Sequence, residues 1–410
     1  MIFHYLKIAF RNLCKYKTQN VISIIGLAVG LLCFCVCIYC SRFVENTDHC
    51  FANHDRIAEL NLYDGKADRY FSGSPIPLAE ELRTWALGET EAISSVTYPR
   101  ERPYYVELSP EKTLPYELET IEIDTCYNKI FTPEMVAGHW KMASQSLNSV
   151  ILSQSMAIKI FGNAESAIGK HMTLMRRLNT SPESTPKTGG IVYTIQAVMK
   201  DISLNNSLDF MQNIDMLTVN DSEGLLQSPK RHNMTGANTY VLLSPQTTCT
   251  DLEKQFSKRD YTYTLYGEAY TVTASSMGAR LKKQGASYLG LVTGIIGTLI
   301  LLVGLINFFH FLIGSFFNRT KEYSIMKMIG CNWKQLFYLL FTQSLIVISI
   351  SSILVLSGIE LLGNHMNFSL PGIAMTFTTE TLLIHALQYI VLLIILCAII
   401  CLSVSIRIRR

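Results

Sequence analysis

Charge is what this sequence has least of. Only 16% of its 410 residues are charged, against about a quarter in an ordinary soluble domain. The shortfall is uneven. Long stretches carry no charged side chain while the middle reads like a globular protein, which excludes a wholly soluble chain. A phosphate-binding loop is also missing. The Gly-Lys pairs at 65–66 and 169–170 lack both the preceding glycine and the following Ser or Thr. His139, His171 and His232 are dispersed, and neither His-x-x-x-His nor Gly-x-Ser-x-Gly occurs. The residues therefore give no catalytic or metal-holding constellation and no cofactor, and the chain reads as a non-catalytic one. The 11 cysteines do not make a disulfide framework. Cys33, Cys35, Cys37 and Cys40 share one apolar run and Cys397 and Cys401 another, where thiols act as small hydrophobes. Cys50, Cys126 and Cys249 fall in the middle region with no CxxC spacing, which leaves room for one bridge among them.

What is present is apolar length. A helix needs about 20 apolar residues to cross a bilayer core. Val21–Tyr39, Tyr288–Phe317 and Leu336–Ile359 are uncharged, and Thr381–Ile406 carries only His385. The first run is too long for the centre of a signal peptide and Ser41-Arg42 is a poor cleavage site, so it reads as a retained anchor. Basic residues sit beside these runs: Lys7, Arg11, Lys15 and Lys17; then Arg319, Lys321, Lys327 and Lys334 against Glu322 alone; then Arg407, Arg409 and Arg410. Residues 42–287 hold 24 of the 35 basic and 29 of the 32 acidic residues and are net acidic. The loop 363–380 has no Lys or Arg. By the positive-inside rule both termini and the 318–335 loop lie in the cytoplasm, and residues 42–287 lie outside. Such a split, tied to apolar runs, argues against nucleic acid as a partner and for the lipid bilayer.

The expected fold class is thus an α-helical membrane protein with four transmembrane helices and a large α+β extracytoplasmic domain inserted between helices 1 and 2. The expected order is 1–20 cytoplasmic amphipathic helix, 21–41 first span, 42–287 outer domain with stalk, and 288–317 second span. It continues with 318–335 cytoplasmic loop, 336–362 third span, 363–380 external loop, 381–406 fourth span and 407–410 tail. Ile2, Leu6, Ala9, Phe10 and Leu13 recur at helical spacing opposite Lys7, Arg11 and Lys15, the pattern of a helix lying on a membrane surface. The long second span contains Asn307 and His310, and interhelical hydrogen bonds are the favoured reading of both. Ala279–Ser287 is expected to extend that span outward as a stalk. In the outer domain, helices are expected near 75–87, over Leu152–Phe161 closed by Gly162, and from Thr250 with Glu253 completing a capping box. Strands are expected at Tyr193–Val198, Met216–Val219 and Tyr240–Leu243. The polar loop 178–190 is expected to lie exposed.

The stretch Ile306–Ile346 reads INFFHFLIGSFFNRTKEYSIMKMIGCNWKQLFYLLFTQSLI. It resembles the signature of FtsX-like and MacB-like ABC permeases: an Asn, then R-x-K-E, then I-x-K-x-x-G leading into the third span. Asn307, Arg319, Lys321, Glu322, Ile325, Lys327 and Gly330 fill those places. The opening HYLKIAFRNLCKYKTQNVISIIGLAVG is similar to the family's N-terminal helix and first span. IFGNAESAIGK (160–170), YTIQAVMKDISLNNS (193–207) and NTYVLL (238–243) resemble the MacB-like periplasmic core domain. The chain departs from the pattern at Gln343, where Glu is common, and over Ser403–Arg410, which lacks A-x-x-x-P-x-x-x-L-R.

The resemblance implies a permease subunit of an inner-membrane ABC transporter. ATP would be hydrolysed by a separate ABC ATPase subunit docking on the 318–335 loop. Coupling would rest on Arg319, Lys321, Glu322, Ile325, Lys327 and Gly330, with Asn307, His310 and Gln343 as the intramembrane polar positions. It also implies a second permease chain, admits a periplasmic adaptor, and includes export of peptides among the family's tasks. Alternatives on the same residues are a membrane-anchored sensor or scaffold, and a lipoprotein-release or cell-wall-hydrolase regulator of the same superfamily.

Overall fold

The computed structural model describes residues 2–15, 17–71, 73–109, 112–174, 190–203, 205–208, 214–222, 224–227, 235–265, 267–279, 287–317, 320–365, 367–370, 373–376 and 379–409. They form two compact units, one of 1–45, 285–370 and 375–410, the other of 46–284 with 371–374.

The chain opens with α1 (Ile2–Lys15) and α2 (Lys17–Glu45). In α1, Ala9 is buried and Ile8 packs against the helical core, while Leu6, Lys7, Phe10 and Arg11 are exposed. Basic groups and apolar rings together suit a headgroup boundary.

The inserted unit is built on a 14-stranded sheet. Its strands are β1 (Ile57–Asp64), β2 (Arg69–Tyr70), β3 (Ser74–Pro75), β4 (Thr90–Thr97), β5 (Arg100–Ser109), β6 (Lys112–Ile123) and β7 (Met135–Gly138). They continue as β8 (Ser149–Ser153), β9 (His171–Leu174), β10 (Val192–Met199), β11 (Met216–Val219), β12 (Thr235–Leu243), β13 (Thr262–Leu265) and β14 (Glu268–Ser276). The order is β11-β8-β10-β9-β5-β6-β4-β12-β1-β14-β13, and β11 also pairs with β6, so the first six strands of that path close into a ring. Most neighbours are antiparallel; β8 with β10 and β6 with β11 run parallel. One residue pair, Val96 with Ile123, joins the ring to the remaining strands through β4 and β6.

Helices α3 (Leu78–Thr84), α4 (Tyr127–Phe131), α5 (Trp140–Gln145), α6 (Gln154–Phe161) and α7 (Cys249–Lys258) cover the strands. Leu78 and Leu82 of α3 and Leu252 and Phe256 of α7 bury against Leu60, Ile93 and Val272. Met156 and Ile160 of α6 bury against Tyr104, Leu118 and Tyr193 on the ring. Three expectations are corrected here. The helix expected near 75–87 is shorter: Ser74 and Pro75 form β3, and α3 starts at Leu78, after the fixed-φ Pro77. Leu152 belongs to β8, and α6 begins where Ser153 Oγ accepts from Met156 N. The capping box of α7 is Thr248 with Asp251, two residues earlier than the Thr250–Glu253 pattern, because Thr248 has the extended backbone a cap needs. Cys50, Cys126 and Cys249 are free thiols. The 178–189 part of the polar loop and the 280–286 part of the stalk lie outside the described residues.

The chain then forms α8 (Ser287–Phe317), α9 (Thr320–Met328) and α10 (Trp333–His365), followed by β15 (Asn367–Leu370), β16 (Ile373–Thr376) and α11 (Thr379–Arg409). Among the described residues, four helices are long and apolar enough to cross a membrane: Lys17–Glu45, Tyr288–Gly314, Trp333–Leu361 and Leu382–Ile406. Their shared core includes Leu27, Leu31, Phe308, Phe311, Val347, Ile348, Ala386 and Leu393. Many of their other apolar side chains, such as Leu299, Val303, Ile353 and Leu392, remain exposed, the pattern of helices whose outer face meets lipid.

Candidate coupling site between the second and third long helices

The turn from α8 to α10 is held by short-range bonds. Thr320 Oγ1 donates to Phe317 O at 2.8 Å, at the start of α9. Tyr323 is buried and its ring stacks on Phe316 with centroids 5.7 Å apart, which fixes α9 against the end of α8. At the other end Cys331 N donates to Met326 O at 2.9 Å across Gly330, whose φ of +94° suits a residue without Cβ. Asn332 then starts α10, with its backbone N–H donating to Gln335 Oε1 at 3.1 Å and its carbonyl accepting from Gln335 N. The segment is a short helix closed by a left-handed turn.

This geometry sorts the residues named from sequence. Tyr323 and Met326 turn toward the helical core. Ile325, Met328 and Ile329 turn away and are 51%, 80% and 81% exposed. Lys321 and Glu322 are exposed beside them, and Lys15 Nζ reaches Glu322 Oε1 at 3.5 Å. That pair is open to solvent and adds little stability, but it places the end of α1 beside α9. Arg319 and the Lys327 side chain lie outside the described residues.

Asn307 and His310 sit on α8 and take different environments. Asn307 Nδ2 donates to Ile22 O of α2 at 3.4 Å, an interhelical bond. His310 is exposed on the helix surface and forms no such bond among the described residues, a correction to the expectation for it. It falls on the exposed side of α8, one turn from the apolar Ile306 and Ile313. Gln343 is buried in α10.

Sequence reading missed how α2 meets α8. A Cβ built on Gly30 would stand 3.2 Å from Gly304 Cα, so the two backbones touch where both residues lack side chains. Gly26-x-x-x-Gly30 was a readable signal for this contact. Ser351 Oγ of α10 donates to Ile24 O at 3.1 Å and ties a third helix to the same stretch of α2.

Residues 294–410 match the family described as FtsX-like permease C-terminal. This span takes in α9, α10, α11 and most of α8, and over it the chain is similar to that family. No curated protein sequence matches the chain. Among solved structures, a domain assigned to a permease protein from Porphyromonas gingivalis is similar at 20% identity and a TM-score of 0.42, covering 55% of this chain and 93% of that one. The periplasmic region of MacB from Actinobacillus actinomycetemcomitans is similar at 14% identity and a TM-score of 0.37, covering 59% and 96%. The extracellular domain of the noncanonic ABC-type transporter YknZ from Gram-positive bacteria is similar at 12% identity and a TM-score of 0.33, covering 53% and 99%.

Proposed function

We propose that this chain is the permease subunit of an ABC transporter and that a separate ATPase docks on α9. The observation that carries the reading is the uncovered apolar trio Ile325, Met328 and Ile329 at the end of a rigidly capped helix. Such side chains are costly in water and suit a groove on a soluble partner. Lys321 and Glu322 are exposed beside them, and Arg319 and Lys327 belong to the same charged segment of the sequence. The FtsX-like match over 294–410 supports the same reading. In this reading both termini and α9 face the cytoplasm of a bacterial inner membrane, residues 42–287 face the periplasm, and a second permease chain pairs with this one.

ATP-driven closure of the ATPase would push α9, and the push would travel through α8 and α2, which the Gly30–Gly304 contact makes one stiff pair. Work done inside would so reach the outer domain, for export or for mechanical signalling. Met328→Glu and Gly330→Val should each abolish co-purification of the ATPase and its stimulation while leaving membrane insertion intact. Wild-type ATPase stimulation in both variants would refute the docking site. A chain that brings down no nucleotide-hydrolysing partner at all is what the sensor reading expects.

A further inference from the structure

Cys397 and Cys401 stand four residues apart on α11, so their side chains leave the helix on one face. Both are buried, and their sulfurs lie 3.9 Å apart. A disulfide needs Cβ atoms about 3.8 Å apart, whereas helical positions of this spacing hold them at about 5–6 Å. An intact α11 therefore keeps the pair as two thiols. The sulfur separation suits a third atom between them. A soft centre bound to two thiolates by bonds of ~2.3 Å, the length of a zinc–thiolate bond, at a near-tetrahedral angle holds the sulfurs roughly 3.8 Å apart.

Independently of that spacing, Cys401 helps to line a cavity of about 460 Å³. Leu312 and Phe316 of α8, Leu340 of α10, and Ile400 and Val404 of α11 line it too. Among the described residues its wall carries no charged, hydroxyl or amide side chain. The volume lies in the range of small-ligand sites, but a polar ligand would lose its water there and gain no partner. An apolar ligand that carries one sulfur-seeking atom meets no such cost. Cys401 is the anchor for that atom at the wall, and the Cys397 sulfur stands one turn behind it.

We propose that Cys397 and Cys401 form a dithiol site for a trivalent organic arsenical: the arsenic bridges the two sulfurs and its apolar substituent occupies the cavity. The step changes no oxidation state. The arsenic–oxygen double bond of R–As=O gives way to two arsenic–sulfur bonds, and the two thiol protons leave with that oxygen as one water. The second bond closes within one molecule, so a competing monothiol must open both before the ligand escapes. Soft thiolate sulfur is the ligand type that selects such a centre over hard ions. The proposal concerns the unit of long helices alone and does not depend on the ATPase reading.

The test treats the full-length chain in nanodiscs with phenylarsine oxide and then with competing thiols, reading the peptide that spans 397–401 by mass spectrometry. In the wild type that peptide should gain one phenylarsenic group and lose two hydrogens, resist 2-mercaptoethanol and release its arsenic to 2,3-dimercaptopropanol. Cys397→Ala and Cys401→Ala each leave a single sulfur. The 2-mercaptoethanol concentration that strips the label from this peptide should then fall by about 10²-fold or more. Cys33→Ala, in α2, should leave it unchanged. Val404→Trp fills the cavity and should weaken phenylarsine oxide while sparing inorganic arsenite, which has no substituent to place. A wild-type peptide without the bridged mass would overturn the proposal, with no variant needed. So would unchanged retention in both alanine variants at 397 and 401, or equal weakening of arsenite by Val404→Trp.

Discussion

Asp48 is a buried carboxylate in the left-handed region, with φ 71°. Its Oδ1 accepts from Ser207 N at 2.6 Å and its Oδ2 from Ser207 Oγ at 3.0 Å, while Asn205 O accepts its own N–H. Asp tolerates this backbone better than most residues because its short side chain bonds locally. The chain just after α2 is thereby fastened to the 205–208 loop that follows β10. Asp48→Ala removes two bonds to a charged acceptor and puts a plain Cβ at a positive φ, so a loss of about 2–4 kcal/mol is expected, read by thermal unfolding and by faster exchange of the Ser207 amide. Gly30 is the second single residue on which much rests. Gly30→Leu must push α2 off α8 at Gly304, and overpacking of this kind costs about 1–3 kcal/mol, measurable as a lower melting midpoint in detergent. Gly30→Ser should be tolerated far better.

At the scale of elements, the cap of α7 gives a pH prediction. The Asp251 carboxylate is held down to about 2, first by the Thr248 hydroxyl and then by Lys254. Its ordinary value is about 3.9, so its contribution is fully present above that pH and is lost as pH falls toward about 2. The difference in melting midpoint between wild type and Asp251→Asn should therefore be constant from neutral pH down to about 4 and vanish near 2. Thr248→Ala should cost about 1 kcal/mol. These elements also show what a sequence hides. Thr250–Glu253 and Thr248–Asp251 both have the spacing of a capping box, and only the backbone at Thr248 decides between them. Leu152 fits either a helix or a strand, and its pairing with Met216 and Val198 makes it strand. By contrast Met216–Val219, a short apolar run bounded by Asp215 and Asn220, forms the expected strand.

The whole molecule was legible where physics is coarse. Four uncharged runs can only be long helices in an apolar solvent, so the fold class followed from length and charge alone. The ring of strands was not legible, because closing β11 onto β6 joins residues far apart in sequence, and no local pattern records such a pairing. At the coupling site, the apolar face Ile325–Met328–Ile329 and the Gly330 turn were readable as periodicity and punctuation. The Lys15–Glu322 pair was not, since it joins two separate elements.

An ATPase can dock on α9 only if that helix lies on the cytoplasmic side of the membrane. A single cysteine placed at Met328, in a chain whose other accessible cysteines are replaced, can be challenged with a membrane-impermeant maleimide. Labelling only after the inner membrane is opened is the predicted result, with a cysteine at Glu165 of the outer domain labelling in spheroplasts. Labelling of position 328 in intact spheroplasts would contradict a cytoplasmic docking helix.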